Sequence, residues 1–193
     1  NVTYVYAVSA TYSDGEESEL SESVEVTPQA QTVHEEYHDD GTAEEGFNAE
    51  SGNFTAVKYS AISEGETVVR FKWYQQGSGG AFYIKIFEDV NGMPGSEIYS
   101  AVQASGNMDG WNDKDLTAAG LVVSGDFWIG TKEFSSSKAF GLDTSSDVGN
   151  SYQSSGDWTA ISGNLAYHVY LDCGDNCEDP GDCTNDAGDV NED

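Results

Sequence analysis

The sequence predicts an all-β fold, an antiparallel β-sandwich of the jelly-roll kind with an N-terminal β-hairpin and an irregular acidic C-terminal tail. Three observations carry this expectation. Apolar residues recur at every second position in many short runs; turns rich in Gly, Asn, Asp and Ser separate those runs; and no stretch shows a capped helical period. Aromatic residues make up 12% of the 193, enough to fill the space between two sheets without help from disulfides.

The elements follow in order. Residues 2–12 alternate without a break: Val2, Tyr4, Tyr6, Val8, Ala10 and Tyr12 share one face, and Thr3, Val5, Ala7, Ser9 and Thr11 the other. A polar turn from Ser13 to Ser18 leads into a second strand near Ser21–Thr27, which Pro28 ends. Residues 29–36 are polar and read as a linker. From 37 to 172 the expected strands are Phe54–Ala61, Val68–Tyr74, Phe82–Phe87, Glu97–Val102, Trp111–Leu116, Leu121–Thr131, Ala139–Leu142, Trp158–Ile161 and Leu165–Leu171. Alternation assigns Val69, Phe71, Trp73, Phe82, Ile84, Ile86, Phe127, Ile129, Leu165, Tyr167, Val169 and Leu171 to the core. Residues 173–193 form the tail.

The first 28 residues resemble the last two strands of a fibronectin type III domain, through Y-x-Y-x-V-x-A-x-Y, the D-G-E-E-S-E turn and the S-E-S-V-E-V-T-P exit. The resemblance implies a corner position for Tyr4. A lone hairpin is marginal in water, so Tyr4, Tyr6 and Val8 need a partner surface. Three sources are open: the remainder of such a domain, the following domain, or a neighbouring copy joined by strand addition. The last would propagate a filament.

The 37–172 region carries Tyr37-His38-Asp39-Asp40-Gly41-Thr42, the Phe87–Gly95 turn, Gly110-Trp111-Asn112 and Ser124–Gly130, with a late Trp158. It is similar to β-sandwich modules of large secreted proteins of marine and environmental bacteria. In those proteins they stand beside fibronectin type III repeats, proteases and calcium-binding segments. The resemblance implies an extracellular or surface location, within a larger chain, and assigns no binding residues.

The tail closes with Asp189-Val190-Asn191-Glu192-Asp193, similar to the opening of a dockerin or EF-hand loop, while the stretch before it resembles the Asp- and Cys-rich repeats of thrombospondin-like proteins. Both resemblances imply Ca²⁺, which takes six to eight oxygen ligands. Asp182, Asp186, Asp189, Asn191 and Asp193 are the candidate ligands. An acidic linker with no ion is the competing expectation. Cys173, Cys177 and Cys183 lie within eleven residues of one another. Crowded among carboxylates and far from histidine in sequence, they suit an extracellular disulfide with one thiol left over, rather than zinc.

Charge narrows the partners. There are 35 Asp and Glu against 7 Lys and Arg, a formal net charge of −28, and all seven cations fall between Lys58 and Lys138. Nucleic acid and anionic membrane need a basic footprint, so neither is an expected partner. No apolar run reaches the length of a membrane helix. The expected partners are other copies of the chain, neighbouring domains, or polysaccharide.

Catalytic motifs are absent: the chain has no G-x-S-x-G, H-E-x-x-H or phosphate-binding loop. His34 and His38 flank an acidic segment, and His168 falls on the face of its strand opposite Tyr167 and Val169; all three read as structural or surface groups. A sugar site would need aromatic platforms. Trp73 shares the core face, Trp128 is out of phase with Phe127 and Ile129, and Trp111 and Trp158 sit beside turns as the candidate platforms. The expected function is a non-catalytic extracellular structural or adhesion module, calcium-stiffened and assembled by strand addition. The alternative is a carbohydrate-binding module.

Overall fold

The computed structural model describes residues 4–26, 32–77, 79–103, 108–134 and 139–174. The candidate calcium ligands of the tail, with Cys177 and Cys183, lie outside them. The chain divides into two units, Asn1–Gln31 and Thr32–Asp193.

The first unit is a hairpin of β1 (Tyr4–Tyr6) and β2 (Val24–Val26), with Tyr4 opposite Val26 and Tyr6 opposite Val24. The regular strand is much shorter than the eleven-residue alternation predicts, and the cause is serine. Ser21 and Ser18 hydroxyls accept from the Val8 and Ala10 amides at 3.1 and 2.9 Å, positions a ladder carbonyl would otherwise take. A bridge between Thr11 and Glu17 closes the tip. Tyr4, Tyr6, Val8 and Tyr12 are all exposed, Val8 by 71%.

The second unit is the antiparallel sandwich. One sheet has six strands in the order β14-β13-β5-β11-β7-β8: Trp158–Ala160, Ser151–Ser154, Phe54–Ser60, Asp126–Glu133, Phe82–Val90 and Met93–Gln103. The β7–β8 hairpin turns at Asn91-Gly92, both at positive φ (56° and 79°), the backbone an Asn-Gly turn requires.

The other sheet has eight strands. At its centre β6 (Glu66–Gln76) is bordered by β16 (Tyr167–Asp172) and β9 (Gly110–Asp115), and β3 (Val33–Glu36) lies against the far side of β16. The sheet is completed by β4 (Glu45–Phe47), β10 (Val122–Val123), β12 (Ala139–Asp143) and β15 (Asn164–Leu165).

Several expectations are corrected. Residues 33–36 are not linker but strand β3, paired with β16 from Val33–Asp172 to Glu36–Val169. The stretches 121–131 and 165–171 each split into two strands. Val69 does not face the core: Val68 and Phe71 are both fully buried, and the register jumps from Arg70–Tyr170 to Val68–Leu171. That β-bulge places two residues of β6 opposite one of β16 and resets the alternation.

The remaining core assignments hold, with Phe71, Trp73, Phe82, Ile84, Ile86, Ile129, Leu165, Tyr167, Val169 and Leu171 at 0% exposure and Phe127 at 2%. Phe82 meets both Trp73 and Phe140 edge-on, at 5.2 and 5.3 Å between centroids, so rings from both sheets interlock. One polar knot crosses this core: the Tyr167 hydroxyl with Thr55 and Thr131 Oγ1 at 2.8 and 3.3 Å. Tyr59 donates to the Tyr167 carbonyl at 2.5 Å. Burial pushes both phenols above their ordinary range, so they remain neutral donors.

Gly130, opposite Ala56, has no room for a side chain, since a Cβ there would fall 1.8 Å from the Thr55 carbonyl oxygen. Gly156 has nothing within 4 Å of the same position. Gly130→Ala is therefore expected to cost about 1–3 kcal/mol or more, and Gly156→Ala to stay within about 0.5 kcal/mol. Urea unfolding of the two variants checks this; equal midpoints would contradict the close approach of β5 and β11.

Candidate functional site

Strand alternation sorts outward side chains as firmly as inward ones. On the eight-stranded sheet the register aligns Trp111 with Tyr74, Asp113 with Lys72 and Asp115 with Arg70; Lys72 lies opposite His168, Arg70 opposite Tyr170, and Tyr170 opposite Glu35. The outer face is thus a patterned array of rings and charges.

His168 is its centre. The residue is only 5% exposed although its side chain lies outside the sandwich core. Tyr37 stacks on it at 4.8 Å and 24°, and Trp111 packs at 4.4 Å and 56°. Nδ1 lies 2.5 Å from Glu35 Oε1, and Nε2 lies 3.0 Å from Oδ2 of the buried Asp39. Each ring nitrogen therefore faces a carboxylate. Both nitrogens are thus engaged by groups of the protein itself.

The surrounding charges brace this centre. Lys72 Nζ sits 4.5 Å above the Trp111 ring and 3.4 Å from Glu35. Burial acts to raise the Glu35 carboxyl, but hydrogen bonds from Tyr170 and His168 and the Lys72 charge outweigh it and hold it below its ordinary value. The same Glu35 contact, after burial, helps push Tyr170 up to about 12. His34 reaches Glu36 and the buried Glu66, each at 3.2 Å. Strand β3 is thus fastened by side-chain charge as well as by its ladder.

The two predicted tryptophan platforms do not share a site. Trp111 is half-buried on the outer face of the eight-stranded sheet, with Tyr74 edge-on at 5.5 Å. Trp158 belongs to the six-stranded sheet, where it covers Phe54 and Phe87 at 6.2 and 5.8 Å. Trp128 lies on that same outer face, as its phase predicts; it is buried beneath Tyr152 and donates from Nε1 to Asp89 at 2.8 Å. Trp158 is therefore occupied as a lid on a small apolar cluster. The exposed ring is Tyr37, 52% accessible and fixed from behind by His168.

Tyr37 was legible as a residue but not as a site. Its backing group is 131 positions away in sequence (168 − 37), and the strand leading to it has only Val33 as an apolar marker.

A carboxylate cluster lies elsewhere in the same unit. Oxygens of Asp40, Glu44 and Asp143 fall within 4.8 Å of one another. Such a set offers the hard oxygen ligands that Ca²⁺ prefers, yet protein donors already serve it. Thr42 Oγ1 reaches Asp40 and Glu44 at 2.6 and 2.8 Å, and the Thr144 amide reaches Glu44 at 2.9 Å. Of the predicted cysteines, Cys173 is buried and disulfide-bonded.

No family model matches the chain, and no curated protein matches it. The likenesses to fibronectin type III, dockerin and environmental bacterial modules therefore rest on the residues quoted above. Fold and face together define an all-β sandwich with a ringed, charged outer surface. Two solved structures share that fold. One holds the cysteine protease and lectin-like domains of Cwp84, a surface layer associated protein of Clostridium difficile, at 12% identity and a TM-score of 0.60 over 78% of this chain and 38% of that one. The other is the same clostridial cysteine protease after propeptide cleavage, at 12% identity and a TM-score of 0.57, covering 42% of it. This chain spans less than half the length of either.

Asp143 provides a pH marker. Burial acts to raise it, but hydrogen bonds from Ser145, Asn164 and Ser146 bring it from the ordinary 3.8 to about 2. A depressed carboxyl stabilises the fold above its unfolded value, and the contribution is lost as pH falls through the folded one. Between 3.8 and about 2, the melting temperature of Asp143→Asn should fall less steeply than that of the parent chain. Parallel slopes in thermal melts would contradict this.

Proposed function

We propose that this chain is a non-catalytic extracellular module that holds a larger secreted or surface protein against polysaccharide. The observation that carries it is the exposed Tyr37 ring stacked on His168, which Trp111 also contacts. An aromatic face held by a stacked, buried partner suits stacking on the C–H face of a sugar ring, at little ordering cost for the protein. The lectin-like description of the solved domain and its surface layer source agree with such a role. The disulfide at Cys173 agrees with an oxidising compartment.

The test is retention on a panel of insoluble polysaccharides. Tyr37→Ala is expected to weaken binding about tenfold, near 1.4 kcal/mol, and Trp111→Ala by at least as much. Trp158→Ala should leave retention unchanged once folding is confirmed by melting. Retention by no polysaccharide, or loss only with Trp158→Ala, would overturn the reading.

A second reading, assembly, draws on the exposed Tyr4, Tyr6 and Val8 of the hairpin. Here the hairpin joins a neighbouring copy or domain, and Ca²⁺ stiffens the acidic segments. Sedimentation of the intact chain and of one lacking residues 1–28, each with calcium and with chelator, examines both parts. Oligomers that need the hairpin and calcium are expected; a monomer under every condition would remove this reading.

A further inference from the structure

A polar pocket lies on the other side of the same segment, one residue from Tyr37. Its volume is about 250 Å³, and Glu36, His38, Lys58, Tyr59, Ser60 and Asn150 line it. The size is decisive: drug-sized ligands occupy about 300–1,000 Å³, so this space takes one small ring rather than a chain.

The lining is rigid and its charges are already matched. The His38 ring stacks on the buried Tyr59 at 5.1 Å and 12°. Lys58 Nζ is 2.6 Å from Asp126 and 3.6 Å from Asp89, and Glu36 is paired with His34 at 3.2 Å. The hydrogen bond to Asp126 is the main reason the Lys58 ammonium is held above its ordinary range.

The neutral groups, in contrast, have capacity to spare. His38 Nε2 lies 2.7 Å from the Lys58 carbonyl oxygen, which only accepts, so Nε2 carries the proton. Asn150 Nδ2 lies 3.1 Å from that same nitrogen. One ring nitrogen cannot donate to the carbonyl and accept from the amide at once, so at most one amide hydrogen is directed at His38 and Asn150 keeps its other hydrogen and its Oδ1. Nδ1 has no hydrogen-bond partner among the described residues. The Asn150 amide, the His38 ring and the Ser60 hydroxyl oxygen, whose hydrogen goes to Asp126 at 2.6 Å, thus surround one small space. That pattern fits adjacent hydroxyls of a sugar, each of which donates and accepts.

We propose that this pocket binds a single neutral pyranose residue, with vicinal hydroxyls bridging Asn150 and His38. A uronate is disfavoured, because the nearby ammonium is already neutralised and the chain carries a net charge of −28. The inference deepens the polysaccharide reading by naming a recognition subsite beside the Tyr37 platform.

The experiment follows the His38 side-chain resonances of the intact chain by NMR during titration with glucose, galactose, N-acetylglucosamine and glucuronate. A saturable shift with at least one neutral sugar is expected, with none from glucuronate. Affinity should fall about tenfold or more in Asn150→Ala and in the size-matched Asn150→Asp. Tyr37→Ala, which removes the platform, should leave monosaccharide affinity in the pocket unchanged. A shift that persists in both Asn150 variants, or an equal response to glucuronate, would overturn the pocket. So would silence with every sugar; polysaccharide retention that survives the Asn150 variants would then leave the Tyr37 reading standing alone.

Discussion

Phe82 touches Trp73 and Phe140 edge-on, and Phe71 and Phe140 both meet Tyr167 in the same manner at 5.2 and 5.4 Å. These rings come from both sheets and lock them together. The rest of the molecule depends on that contact, because the chain has little else to resist its own charge. With a net charge of −28, self-repulsion opposes the compact state throughout. Buried aromatic area is the opposing term, and each ring removed would forfeit both its burial and its neighbours' packing.

The same alternation that sends rings inward delivers the cations outward. Arg70 and Lys72 follow Phe71 and Trp73 in opposite phase on β6 and meet the face of Trp111, His168 and Tyr170. Lys58, Lys85 and Lys132 occupy the outer face of the six-stranded sheet, where Lys58 pairs with Asp126, Lys85 with Glu97 and Lys132 rests over Phe54. Scarce cations thus sit where they neutralise carboxylates or cover rings. The outer faces become ordered surfaces rather than diffuse acidic ones, and order is what a binding surface needs.

Much of this architecture was legible in the sequence. Strands with apolar residues at every second position, such as β7 and β11, declared their buried faces but not their ends. The failures share one physical origin: contacts that are remote in sequence and polar. Strand β3 lacks an apolar stripe because its hold on the sheet is ionic, through Glu35 to His168 and His34 to Glu66. The bulge at Val69 was invisible because Val68 and Val69 are equally apolar, so either phase fits the pattern. Trp111 was singled out by its neighbouring turn, while Tyr37 was read only as part of a motif, since the ring that supports it lies on β16. Trp158 looked exposed beside its turn, yet Phe54 and Phe87 give it a surface to cover.

The central claim is that the interlocked core presents Tyr37, His168 and Trp111 as a fixed, non-catalytic sugar-binding face. A crystal structure of the chain with an oligosaccharide cut from a polysaccharide it retains tests this most directly. The account predicts an intact sugar stacked on the solvent side of Tyr37, with the His168 contacts to Glu35 and Asp39 unchanged. A sugar seated on Trp158, or a cleaved product beside His168, would contradict it.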